Sequence, residues 1–276
     1  MLRKWVLSMK KIKIILGYVL GLILSISLFI LVISIICYKT VLDKSFMDRL
    51  IDENNYYENI YNEIDLNVKD YITSSGFDNS ILEGIIVKEE VYNDISLYFD
   101  FMYKGKFYEV DSSKVETRLK DNINKYLVKH NLGVNDTQEL DMFIKDIGDI
   151  YKNEINMYGT LRGFVNRVTT ITNIVRKVII IDGVIVGVSL IIVSLLRTIN
   201  IGSCIMSSGL MVILFRLFIY ERIDVENILI ISEYFSNILK SIFNYISNYM
   251  LEISVILIGV GFLFSLFKIK DKKVEK

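Results

Sequence analysis

Apolar and polar positions along this chain form patterns on two scales. On the longer scale there are four apolar runs: Ile14 to Ile36, Val178 to Leu196, Ile201 to Tyr220 and Leu251 to Phe267. Each is about long enough to cross a hydrocarbon core of roughly 30 Å as a helix. Their spacing is uneven. Residues 38–172 form a long polar stretch between the first and second runs, whereas the other connections are short. The pattern predicts an all-α protein. Four transmembrane helices carry an extracytoplasmic antiparallel helical bundle, inserted between the first and second. The expected segments are a basic start over 1–13, a first span over 14–37, the helical domain over 38–172 and a second span over 173–196. A turn over 197–200, a third span over 201–220, an amphipathic helix over 221–249, a fourth span over 250–267 and a basic tail over 268–276 complete the chain.

On the shorter scale the polar stretch has helical spacing. Ile60, Ile64, Val68 and Ile72 lie four apart, Tyr57 and Tyr61 extend their face, and Gly76 ends the element. A second element is expected from Ile81 to Tyr103, with Val91, Ile95, Tyr98 and Met102 on one side. Lys104-Gly105-Lys106 reads as a turn, and Phe107 to Val110 as a short extended piece. Ser113 and Glu116 have capping-box spacing ahead of Val115, Leu119, Ile123 and Leu127. Gly133 is placed for a left-handed helix end. Asp136 and Glu139 repeat the capping spacing before Leu140, Phe143, Ile147, Ile150 and Tyr151. Between the third and fourth runs, Val225, Ile228, Phe235, Leu239, Ile242 and Ile246 share a face opposite Glu226, Asn237, Lys240 and Asn244. That helix is expected either in the membrane interface or packed under the domain.

Charge orients the pattern. The net charge is zero, but residues 38–172 hold 16 Lys and Arg against 24 Asp and Glu, so 16 − 24 = −8. Arg3, Lys4, Lys10, Lys11 and Lys13 lead the chain; Lys268, Lys270, Lys272, Lys273 and Lys276 end it. Positive flanks stay on the cytoplasmic side. Both termini are therefore expected in the cytoplasm of a bacterial cell and the acidic domain outside its plasma membrane. Arg197, in the other short inner loop, agrees. There is no proline, and Ile, Asn, Lys and Tyr abound, as in an AT-rich bacterial coding sequence. The first run exceeds a signal-peptide core of roughly 7–15 residues and no small-x-small site follows, so it reads as a retained anchor. Ile36 before Cys37 argues against a lipobox. With only Cys37 and Cys204, both at or in apolar runs, the domain must hold without disulfides.

Candidate chemistry is sparse. Asp182, Arg216 and Glu252 fall in or near the apolar runs, at similar expected depth near the outer surface. A charge in hydrocarbon is costly unless paired or wet. The cluster reads as an ion pair fixing helix register, with Asp182 and Arg216 as partners and Glu252 as competitor. Snorkelling to the interface and a transport site are the other readings. Gly17 and Gly21, and Gly183 and Gly187, form GxxxG pairs suited to close helix packing; Ser203 and Ser207 repeat the small-residue spacing. The single histidine, His130, cannot build a multi-histidine site. No triad, GxSxG, HExxH, CxxC or phosphate loop occurs. The segment from Asp136 to Asp141 lacks EF-hand spacing. No enzyme activity, cofactor or metal is expected, and the acidic domain argues against nucleic acid. The domain's many tyrosines read as core and core-edge residues.

A helical domain between two membrane helices resembles, in architecture and without a shared motif, the four-helix type of bacterial extracytoplasmic sensor domain. It departs from that type in having no cytoplasmic signalling module. The expectation is a non-enzymatic envelope protein whose domain over 38–172 binds a partner, with the lipid bilayer around its spans and oligomers open. The alternative is a transporter or channel component using Asp182, Arg216 and Glu252.

Overall fold

Helical spacing in the sequence becomes helix in space. The computed structural model describes residues 2–133, 137–196, 199–222 and 233–274, and among these every long element is an α-helix. In chain order they are α1 (Leu2–Lys39), α2 (Lys44–Glu53), α3 (Tyr56–Ser74), α4 (Lys88–Tyr103), α5 (Ser113–Lys129) and α6 (Thr137–Ile155). Then come α7 (Arg162–Val165), α8 (Val168–Leu196), α9 (Ile201–Arg222) and α10 (Glu233–Val274). They fall into two units.

The apolar unit comprises Met1–Asp43, Ile171–Ile228 and Lys240–Lys276. Its four helices are long and apolar enough to cross a membrane: Lys11–Lys39, Val168–Leu196, Ile201–Arg222 and Glu233–Leu266. Only 17–28% of their most apolar windows is buried within the protein, so most of that surface needs a lipid solvent. Helix α1 lies antiparallel to α8, with Tyr38 near Arg176 and Leu24 against Val186. It runs beside α9 in the same direction, from Gly21 at Cys204 to Ile36 at Val212. Helix α10 is one unbroken element. The expected break near Met250, between an amphipathic helix and a separate span, does not occur. No glycine or proline stands between Glu233 and Ile258 to end the helix. Residues 223–232 of the expected amphipathic segment lie outside the described residues.

The second unit comprises Lys44–Thr170 and Leu229–Leu239. Its core is the helical stripe read from the sequence: Ile60, Ile64, Val68 and Ile72 on α3, Val91, Ile95 and Met102 on α4, Val115, Leu119 and Ile123 on α5. Helix α6 adds Ile147, Tyr151 and Ile155. Helix α3 packs against α2, α4 and α6, and α6 packs against α5. Phe235 and Ile238 of α10 are buried with this unit.

Local departures have local causes. The buried end of the α3 stripe is Tyr56, at the four-residue spacing, while Tyr57 and Tyr61 stay half-buried. The element expected from Ile81 begins at Lys88 instead. A 3-10 turn over Asn79–Leu82 and Gly84 at φ 69° precede it. Helix α5 starts at Ser113, and Ser112, one residue earlier than expected, donates its hydroxyl to Glu116. Its far end closes on Asn131 at φ 52°, not Gly133. The Asn131 and Leu132 amides donate to the Val128 and Leu127 carbonyls, a Schellman end with asparagine in the left-handed place. Residues 106–112 are irregular, without strand pairing. The second capping spacing, at Asp136, lies outside the described residues.

Candidate functional site

Helices α9 and α10 meet at evenly spaced positions in the apolar unit, and their register follows from side-chain size. Tyr220 meets Phe243 with ring centroids 5.2 Å apart. Seven-residue steps down α9 place Arg216 at Ser247, Gly209 at Ser254 and Gly202 at Gly261. Two turns of helix separate the two glycines, so they share one face. A methyl added at Gly202 would collide with the Gly261 carbonyl and lie 2.6 Å from the Ser265 nitrogen. At Gly209 it would meet the Ser254 carbonyl at 3.0 Å. Glycine is required here because the facing backbone occupies the space of a Cβ.

The glycine pairs singled out in the sequence behave differently. Gly17 and Gly21 are both buried. A methyl on Gly21 would sit 3.1 Å from Ile199 Cδ1 and 3.2 Å from Cys204 Sγ. Gly183 and Gly187 have nothing within 4 Å of an added Cβ. Ser203 and Ser207 face outward. The close approach uses Gly202 and Gly209, seven apart, a spacing that a search for four-residue pairs passes over.

Each of the three ionisable residues has its own surroundings. Asp182 on α8 is 8% exposed and hydrogen-bonds the hydroxyl of Ser27, itself 6% exposed, on α1. Arg216 on α9 donates through Nε to Ser247 and lays its guanidinium over Tyr220, 5.5 Å from the ring centre. Glu252 is exposed on α10, while Met250 and Ser254 on the opposite side are buried. Asp182 and Arg216 do not pair: among the described residues no ion pair joins them. Similar depth is not the same as proximity. Asp182 faces α1, and Arg216 faces α10.

Several serines of the apolar unit donate to backbone carbonyls. Ser25 donates to the carbonyls of Gly21 and Cys204 at 3.0 and 3.1 Å, tying α1 to α9. Ser208 and Ser254 donate back to their own helices at 2.7 Å. Beside Arg216, a cavity of about 20 Å³ is lined by Ile219, Tyr220, Phe243, Ile246, Ser247 and Met250. That is room for about one water.

The helical unit carries its own polar network. Asp94 on α4 accepts hydrogen bonds from Tyr151 of α6 at 2.7 Å and from Tyr108 at 2.8 Å. Burial, then the Asp94 carboxylate, pushes the Tyr108 phenol up to about 12 and Tyr151 further. Both stay neutral hydrogen-bond donors at ordinary pH. Tyr56, Tyr98 and Tyr151 are buried, and their spacing had marked them as core. The shared carboxylate had no sequence signal, because its partners lie 14 and 57 residues away. His130 stacks on Tyr126, with ring centres 4.4 Å apart, at the exposed end of α5.

Comparison with known proteins adds no neighbour: no family model matches the chain, and neither a curated protein nor a solved structure does.

Proposed function

We propose that this chain is a non-enzymatic protein of the bacterial plasma membrane whose extracytoplasmic helical domain binds a protein partner. Both termini are cytoplasmic in this reading, and the four apolar helices serve as the anchor. The observation that carries it is how the apolar unit handles its polar groups. Asp182 and Arg216 are each engaged by a neighbouring helix, and the space beside Arg216 holds about one water. A permeation path needs connected polar volume, whereas a packed anchor needs its polar groups satisfied internally. The helical unit, with a core of its own, then offers the surface for recognition.

Buried Asp182 is the observation that favours the alternative, a transporter or channel component. Two measurements separate the readings. Photo-crosslinkers at exposed Val128, Leu132 and Met142 in intact cells should give discrete protein adducts at some positions and not others. Purified protein in liposomes should pass no ion or solute. Flux that Asp182→Asn alters, with no adduct from any domain position, would overturn the proposal.

A further inference from the structure

Two arginines of the apolar unit lie over tyrosine rings, and among the described residues neither is paired with a carboxylate. Their level is set by one buried cluster, Ile36 of α1, Val212 of α9 and Met250 of α10. Tyr38 lies two residues beyond Ile36, and Arg216 four beyond Val212 on α9, which runs in the same direction. At 1.5 Å per residue these are steps of roughly 3 and 6 Å. Arg176 of α8 joins Tyr38 there: its Nη2 donates to the Tyr38 hydroxyl at 3.1 Å, and its guanidinium lies 5.9 Å from the ring centre. Arg216 repeats the arrangement with Tyr220 at 5.5 Å. The apolar run of α1 takes 36 − 14 = 22 steps from Ile14 to Ile36, roughly 33 Å of helix. Residues just beyond Ile36 therefore stand at headgroup level when that run fills the hydrocarbon.

Both guanidiniums keep donors in reserve. A guanidinium carries about five N–H groups. Arg216 engages Nε with the Ser247 carbonyl and hydroxyl, and Arg176 engages one Nη with Tyr38. Arg176 is exposed and Arg216 half-buried. The cavity beside Arg216, about 20 Å³, has room for a water and none for a phosphate. An anion must therefore approach Arg216 from the outer surface of the helices, where Leu217 is 48% and Tyr220 49% exposed. A positive charge among apolar helices is costly without an opposite one. In a bilayer the anions at this depth are lipid phosphates.

On the reading that the four apolar helices span a membrane, we infer that Arg176 and Arg216 hold the phosphates of anionic phospholipids at the Ile36 end of α1. This does not depend on which side of the membrane that end occupies. The planar fork of a guanidinium matches two phosphate oxygens, and the tyrosine ring behind it fixes its plane. A zwitterionic headgroup carries its own ammonium, which already answers the phosphate. An anionic headgroup leaves that charge for the protein to meet. Selectivity separates such a site from snorkelling, in which an arginine reaches water or any headgroup alike.

Native mass spectrometry of the full chain, released from vesicles of equal parts phosphatidylglycerol and phosphatidylcholine, tests this. The parent should retain phosphatidylglycerol over phosphatidylcholine by about threefold or more. Arg176→Gln and Arg216→Gln should each lower that ratio, and together bring it near parity. Arg176→Lys keeps the charge without the fork and should fall between parent and Arg176→Gln. Lys69→Gln, at an exposed position of α3, should leave the ratio unchanged. Inorganic phosphate added at release should not displace the lipid, because a free ion has no acyl chains to hold it at this depth. Equal retention of the two lipids by the parent, an unchanged ratio in the double variant, or displacement by inorganic phosphate would overturn the inference. Assembly of the parent into discs of phosphatidylcholine alone checks the membrane reading separately: a chain that folds there and shows no headgroup preference sinks the lipid site and leaves the membrane reading standing.

Discussion

Arg216 and Ser247 are joined through a single nitrogen: Arg216 Nε lies 3.1 Å from the Ser247 carbonyl and 2.8 Å from its hydroxyl oxygen. The contact links α9 to α10 and satisfies part of a guanidinium that otherwise lies among Ile219, Ile246 and Met250. Ser247→Ala keeps the carbonyl and loses the hydroxyl. It should lower stability by about 1 kcal/mol, read from reversible unfolding in detergent.

Asp182 and Arg216 answer to different helices, so their substitutions should be independent. Asp182→Leu and Arg216→Leu should combine to within about 0.5 kcal/mol of the sum of their separate effects. Recovery of stability in the double variant would show a coupling that the structure does not contain.

The glycines separate packing from composition. Gly202→Ala forces α9 and α10 apart and should cost about 1–3 kcal/mol. Gly187→Ala meets nothing within 4 Å. It should be neutral or gain up to about 1 kcal/mol from helix propensity. Thermal unfolding of the two variants side by side checks both signs; equal losses would show that Gly187 is packed against something after all.

Helix α5 offers a test of backbone conformation. Asn131 holds φ 52°, a region that glycine enters without strain and branched residues resist. Asn131→Gly should be tolerated, Asn131→Val should cost about 1–2 kcal/mol, and Gly133→Ala should change little. A large loss at Gly133 with none at Asn131 would reverse the assignment.

Glu90 supplies a pH dependence with a definite sign. Arg118, first through a hydrogen bond and then through its charge, holds the Glu90 carboxyl below its ordinary value of 4.5. A depressed carboxyl stabilises the fold above the unfolded value, and that share is lost as pH falls through the folded one. Arg118→Met should therefore be less stable than the parent at neutral pH by about 0.2–1 kcal/mol, a small amount because the pair is partly exposed. The two melting curves should converge as pH drops well below 4.5. A constant gap at all pH values would mean that the arginine acts through packing.

Periodicity decided much of this protein. Ile60, Ile64, Val68 and Ile72 point one way on any helix, and the structure buries all four. Four long apolar runs became four long helices because hydrophobicity and length are properties of the segment alone. Gly76 and Gly105 mark helix ends since a left-handed residue is a local need, and both have positive φ.

Partnership between helices was another matter. Asp182, Arg216 and Glu252 share an expected depth, yet depth says nothing of the direction in which a side chain leaves its helix. Only packing put Ser27 before Asp182 and Ser247 before Arg216. The chain contains several small-residue pairs, and steric fit chose Gly202 and Gly209 over Gly183 and Gly187. Asn67 and Glu154 meet because α3 and α6 run antiparallel. A contact 87 residues apart in sequence leaves no periodic trace, because periodicity reports one helix at a time and such a contact is made between two.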